Sequence, residues 1–244
     1  LSWFIYDYIG KRQSIDLKIR KTGENNFLVS EKNNIELPYS VGLLKNDSII
    51  YSKIYSKTGK IELPEVDFDY IAVNPSIKLP EFNRNNNWIY NKSSSNLKPL
   101  KFKFIGDLEN PKYRNIFYRP EVTYNLYDGI SPGVNLINRG IKNRPLSFEI
   151  FTQYASKEEA LVGSMNFRYQ LNNEIKDNYS TLFNLFYTTN HYNENLRYQV
   201  FSPSILINFR DNKNLRSNIK RSISLSMFNV DKENNTLDKN SLNK

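Results

Sequence analysis

Residues 161–171 alternate without a slip between two kinds of side chain. Leu161, Gly163, Met165, Phe167, Tyr169 and Leu171 fall on one face, and Val162, Ser164, Asn166, Arg168 and Gln170 on the other. A period of two held over this length predicts one long β-strand. The alternation returns elsewhere. Leu146, Phe148 and Ile150 alternate with Ser147 and Glu149. Tyr179, Thr181, Phe183, Leu185 and Tyr187 alternate with Ser180 and Asn184. Ile205, Ile207 and Phe209 form one set, and Ile219, Ile223, Leu225 and Met227 alternate with Lys220, Ser222, Ser224 and Ser226. Turn residues separate the runs at Asp128-Gly129, Asn172-Asn173, Asn190-His191-Tyr192-Asn193 and 210–214. Long strands joined by tight turns predict an antiparallel up-and-down meander of roughly eight strands across residues 100–230.

The first third of the chain reads differently. Ile15, Leu17 and Ile19 alternate with charged residues, and short apolar runs follow at 27–30, 39–44, 48–55 and 70–73. Their turns lie at 21–26, Asn33-Asn34, Lys45-Asn46-Asp47 and Lys57-Thr58-Gly59-Lys60. Short strands at this spacing predict an Ig-like β-sandwich over residues 14–82. Pro38 and Pro64 sit at run edges, where a missing N–H does least harm. Residues 83–99 read as a linker, because Asn85-Asn86-Asn87 and Ser93-Ser94-Ser95 bracket Trp88 and Tyr90. Residues 1–13 open on a bulky aromatic stretch that fits either the last turns of a helix or a short strand. Residues 231–244 read as a disordered polar tail. The expected fold class is all-β: an Ig-like β-sandwich, then a long-stranded antiparallel up-and-down β-barrel or partial barrel.

Composition narrows the function classes. The chain is 39% hydrophobic and 14% aromatic, too rich in rings for a disordered polymer. No stretch approaches ~18 uncharged apolar residues, which removes a transmembrane helix but not a transmembrane barrel. Ordinary strands average about 5–6 residues, so these are long. A membrane barrel and a large water-soluble sheet with one buried face both fit the alternation. Lys220 and Arg221 put one charge on each face, which counts against lipid contact at that end. Lys+Arg is 34 against Asp+Glu 25, a net charge of +9. These charges are spread through turns and tail, which fits a basic surface facing anionic lipid headgroups. No nucleic-acid partner is expected.

Cys is absent, and His191 is the one histidine. That excludes disulfides, thiol nucleophiles and any site with two His or Cys ligands inside this chain. His191 reads as a loop residue. Glu158-Glu159 reads as a solvated turn, and Asp107, Glu109 and Asn110 lack the other ligands of a calcium loop. No phosphate loop, nucleophile elbow or His-Glu-x-x-His motif occurs. The Asn-x-Ser/Thr triplets at Asn46, Asn91, Asn178 and Asn234 are expected by chance in an Asn-rich chain. No catalytic, cofactor-binding or metal-binding residue is assigned here.

Three stretches carry a family resemblance. They are Leu79-Pro80-Glu81-Phe82-Asn83-Arg84-Asn85-Asn86, then Pro120-Glu121-Val122-Thr123-Tyr124-Asn125-Leu126-Tyr127-Asp128-Gly129 with Pro132-Gly133-Val134 after it, and Lys157-Glu158-Glu159-Ala160-Leu161-Val162-Gly163. In order and spacing the chain resembles the C-terminal region of envelope-associated gluzincin aminopeptidase homologues of Gram-negative bacteria. The resemblance implies a zinc peptidase domain that precedes Leu1, a spacer sandwich, and a barrel that anchors the protein in the outer membrane. Residues 1–13 would then end the preceding peptidase or helical unit. The zinc would belong to that domain, since no residue of this chain matches the family's zinc ligands. Outer-membrane lipid and the chain's own N-terminal peptidase domain are the implied partners. The chain is expected to be a piece of a longer protein. The alternative is a soluble or surface-exposed β-protein acting as a binding or adhesion module, with Trp88, Tyr90, Tyr124 and Tyr127 as a sugar platform.

Overall fold

The computed structural model describes residues 2–10, 14–23, 25–81, 83–92, 97–105, 108–140, 144–172, 178–210 and 219–234. Phe82, Ser93-Ser94-Ser95, Asp107, Asn173, residues 211–214 and the tail from 235 onward lie outside the described residues. The chain divides into two compact units, one of 1–101 with 109–114, the other of 102–108 with 115–244.

The first unit is a β-sandwich. Its strands are β1 (Leu17–Lys21), β2 (Asn26–Glu31), β3 (Tyr39–Lys45), β4 (Ser48–Tyr55), β5 (Gly59–Glu62), β6 (Tyr70–Val73) and β7 (Trp88–Tyr90). They form two antiparallel sheets, β1-β2-β5 and β4-β3-β6-β7. In immunoglobulin lettering this is A-B-E against C′-C-F-G, with the fourth strand paired to the third. Leu17, Ile19, Phe27, Val29 and Ile61 of one sheet form a single core with Val41, Leu43, Ile71, Val73 and Ile89 of the other. Each such fully buried side chain stabilises the unit by about 1.5–3 kcal/mol relative to exposure.

Three boundaries differ from the sequence reading. Residues 83–99 are not simply a linker, because β7 completes the second sheet and buries Ile89. The start of the chain is a short helical segment of the π type, Trp3–Gly10, whose Trp3 and Tyr8 pack on the sandwich core. It therefore belongs to the sandwich unit. The segment from 231 begins with ordered strand, described below.

The second unit is one antiparallel sheet. Its strands are β8 (Leu100–Phe104), β9 (Arg114–Asn125), β10 (Gly129–Ile137), β11 (Leu146–Ala155), β12 (Ala160–Asn172), β13 (Asn178–Asn193), β14 (Leu196–Arg210), β15 (Lys220–Ser226) and β16 (Asn229–Lys232). Each strand from β8 to β15 pairs with its sequence neighbour, and β16 pairs with β14 beyond the end of β15. The all-β class, the sandwich and the up-and-down meander are all present. The sheet is open: among the described residues no pairing joins β8 to β15, so it is a partial barrel at most.

Candidate lipid-facing surface

Residues directly opposite in antiparallel pairs share a face. The registers therefore carry the two faces of β12 across the whole sheet. Leu161 lies beside Tyr154, Met165 beside Ile150 and Tyr187, Phe167 beside Phe148 and Leu185, and Tyr169 beside Leu146 and Phe183. The row continues through Pro203, Ile205 and Ile207 on β14 to Leu225 and Ile223 on β15. On the other side it runs through Val134 and Leu136 to Pro120 and Tyr118. At the paired positions of this face from β9 to β14, the one charged side chain is Arg197, opposite His191 at the rim.

A water-soluble sheet buries such a face, and this sheet exposes it. Leu161 is 64% exposed while its neighbour Val162 is 3%. Leu146 is 57% exposed and Ser147 8%; Tyr154 is 46% exposed and Gln153 7%. Ser131, Asn135, Ser180 and Ser202 are buried on the opposite face. Side chains there shield one another, as on the inner side of a curled sheet. Hydrogen bonds join them: Asn135 Nδ2 donates to Glu149 Oε1 at 2.8 Å, and Arg119 is paired with Glu121. The apolar face is not flat. A groove of about 280 Å³ lies among Leu146, Phe167, Tyr169, Phe183, Leu185 and Pro203.

The height of the apolar band follows from strand geometry. From Leu161 to Leu171 the chain makes ten steps of about 3.3 Å, roughly 33 Å along the strand. At a tilt of about 40° the band stands about 25 Å tall, the height of the apolar belt of membrane barrels. Aromatic residues mark both ends: Tyr124 and Tyr154 at one, Tyr169 stacked on Phe183 at the other, ring centroids 6.4 Å apart.

One rim of the sheet is tied by polar contacts. The β9–β10 turn is built by Asn125, whose Oδ1 accepts from Tyr127 N at 2.7 Å and Asp128 N at 3.1 Å. Gly129 follows with φ +72, and a Cβ there would meet Ser156 Oγ at 2.8 Å. Asp128 is 2% exposed, and its Oδ1 lies 2.5 Å from His191 Nδ1. The carboxylate accepts, so Nδ1 carries the proton. The β11–β12 turn lies against the same rim, with Lys157 N donating to Asp128 O and Lys157 Nζ to Leu126 O. Glu158 accepts from Asn195 N of the β13–β14 turn. His191 is thus buried and partnered, where sequence alone read a loop residue. Its partner lies 63 positions away and has no signal near His191 in the sequence.

The Pro80-Glu81 stretch is a structural centre of the sandwich. Glu81 is 8% exposed. Its carboxylate accepts from Leu17 N at 3.1 Å, Asn74 Nδ2 at 2.7 Å and Asn87 Nδ2 at 2.9 Å. Burial pushes its pKa up, and those hydrogen bonds oppose part of the rise. Asn74 adopts φ +52, and its Oδ1 accepts from Lys78 N and Leu79 N. Glu81 therefore locks β1, the turn after β6 and the turn before β7 together. The three stretches that carry the family resemblance map onto this lock and onto the rim turns.

Trp88 and Tyr90 pack on Tyr70 within the sandwich, with ring centroids 6.3 and 5.1 Å away. Glu109 accepts from Asn85 Nδ2. Among the described residues no group of three or more His, Cys, Asp or Glu gathers for a metal. No helix among them is long and apolar enough to cross a membrane, which does not bear on strands. Comparison of the chain with protein-family models, curated proteins and solved structures gives no match.

Proposed function

We propose that this chain is a membrane-seated β-sheet joined to a folded β-sandwich, and that it serves as the non-catalytic anchor of an outer-membrane protein. The observation that carries the reading is the inversion of the large sheet: an apolar face exposed across seven strands, charged only toward the ends of β14 and β15 at Arg197 and Arg221, opposite a face where polar side chains such as Ser131, Asn135, Ser180 and Ser202 are buried. Water disfavours that arrangement and hydrocarbon favours it. The resemblance to gluzincin aminopeptidase homologues supplies the rest of the proposal. The sandwich is a spacer, and the anchored cargo is an N-terminal zinc peptidase domain that holds the zinc and all the chemistry.

The experiment has two parts. Purified chain is mixed with vesicles of anionic and zwitterionic lipid and floated on a density gradient. The expected result is flotation of folded chain, resistant to alkaline carbonate. Phe167→Arg, on the apolar face, loses about 2–4 kcal/mol of membrane-folded stability. Asn166→Arg, one residue along on the polar face, keeps flotation. A chain that stays monomeric in detergent-free buffer and ignores vesicles overturns the anchor and leaves the surface binding module. For the cargo, the reading frame upstream of Leu1 is sequenced. The proposal requires a His-Glu-x-x-His helix with a further Glu ligand downstream of it; a start codon with a signal peptide directly before Leu1 overturns the peptidase link.

A further inference from the structure

The sandwich is open along one side. β4 and β5 are the outer strands of their sheets, and only residues 56–58 link them. Between these two edges lies a cleft of about 540 Å³, lined by Asn26, Lys53, Tyr55, Lys60, Ile61 and Glu62 among others. That size falls within the roughly 300–1,000 Å³ of small-molecule sites. All of these residues belong to the sandwich unit, so the cleft does not depend on how the large sheet is read.

The lining is cationic and polar. Lys53 pairs in register with Val41 of the core, so it stands on the inward side of β4, where a closed sandwich would carry an apolar residue. Its Nζ lies 5.3 Å from the Tyr55 ring centroid, and among the described residues it has no carboxylate partner. Lys60 has none either. Lys60 flanks Leu28 in its sheet, and Arg20 flanks Leu28 from the other side. Glu62 is the one carboxylate in the lining, and its backbone oxygen accepts from the Tyr55 hydroxyl at 3.4 Å. The Asn26 side-chain amide has no hydrogen-bond partner among the described residues. Gly59 opens β5 at φ +151, with nothing within 4 Å of where a Cβ would stand, so the strand edge there is clear for a ligand to approach.

These features select the ligand. Two unpaired lysines in one cleft match a phosphate dianion, since each ammonium is a compact charge with three donors. A tyrosine ring, a free amide and the unpaired backbone groups of a strand edge match the ring face and hydroxyls of a sugar. An added peptide strand fits poorly, because an inward-pointing lysine on an edge blocks strand pairing. We propose that the cleft binds a phosphorylated sugar, with Lys53 and Lys60 on the phosphate and Tyr55 and Asn26 on the ring.

The full chain in detergent is titrated calorimetrically with the 1-phosphates of glucose, galactose, mannose and N-acetylglucosamine, with the four unphosphorylated sugars, and with inorganic phosphate. At least one sugar phosphate is expected to bind ten-fold or more tightly than both its parent sugar and phosphate alone. Lys53→Gln and Lys60→Gln each weaken that binding at least five-fold. Lys57→Gln, an equal loss of charge in the neighbouring turn, leaves it within two-fold. An unchanged urea midpoint by tryptophan fluorescence shows that each variant is folded. Phosphate alone binding as tightly, none of the four sugar phosphates preferred, or full affinity in Lys53→Gln overturns the proposal. The last result, with aggregation of the variant, assigns Lys53 to guarding the edge instead. The same titration with the octyl ester of the preferred sugar phosphate separates the two sources of this chemistry. Binding ten-fold tighter than the free compound, and weakened in Lys53→Gln, supports a glycolipid headgroup; equal binding supports a soluble sugar phosphate.

Discussion

Glu81 gives the sharpest test of the sandwich. Its two carboxylate oxygens face only donors: a backbone N–H and two Asn amides. Glu81→Gln replaces one oxygen with an NH₂, which must confront a donor. One orphaned buried donor costs about 1–3 kcal/mol, and removing the buried charge returns part of that. The expected net loss is about 1–2 kcal/mol near neutral pH, and about 3 kcal/mol for Glu81→Ala, which orphans all three donors. For a unit of about 100 residues, each kcal/mol lowers Tm by about 4–8 °C. The sequence has 2 Trp, Trp3 and Trp88, both in the sandwich unit. Tryptophan fluorescence during urea unfolding therefore reports this unit alone. The pH dependence has a definite sign. The folded-state pKa of Glu81 lies above its usual value of 4.5. Its contribution is full below 4.5 and declines as pH rises through the raised value. The stability gap between parent and Glu81→Gln is therefore widest in acid and narrows toward neutral pH. Taking the difference cancels the opposite slopes of Asp67 and Asp69, whose pKa values are lowered by hydrogen bonds from Lys45 and Lys92. Equal stability of parent and Glu81→Gln across the pH range refutes the lock, and a gap that widens with pH refutes the upward shift.

Three further outcomes follow from other sites. Gly163 has φ +148, and a Cβ there runs into the Phe151 carbonyl oxygen; Gly163→Ala is expected to cost about 3 kcal/mol or more and to speed hydrogen exchange across β11 and β12. Tyr39 and Tyr70 have pKa values pushed up to about 12, chiefly by burial. Absorbance at alkaline pH is expected to resolve two late-ionising tyrosines, with sandwich stability falling between their ordinary pKa near 10 and 12; a single wave near 10 refutes their burial. His191→Ala leaves the Asp128 carboxylate buried without its partner, a loss of about 3–5 kcal/mol. Faster exchange of amides in 126–129 and 156–159 than in the sandwich checks it, and unchanged rim protection contradicts it.

The large sheet was legible because its physics is local. Alternation in residues 161–171 and turn residues such as Asp128-Gly129 need no tertiary information. The direction of each face was not legible, because a period of two reads the same whichever side meets water. β7 was hidden because three Asn and three Ser flank Trp88-Ile89-Tyr90, and strand propensity there yields to pairing with β6. β16 was hidden inside a polar tail for the same reason. Nothing in the sequence around Glu81 marks it as buried, and only the fold brings Leu17, Asn74 and Asn87 to it. His191 shows the same limit: nothing near it in sequence points to Asp128.

The nearest-neighbour order of β8 to β15 also bears on how the chain reaches this state. Each strand closes only on the one before it, so the entropy lost in forming each contact is that of a short loop. All-β folds are usually slow because distant segments must meet first. This sheet has no such early requirement. It can lengthen by one hairpin at a time, and each partial product ends in an edge that the next strand covers.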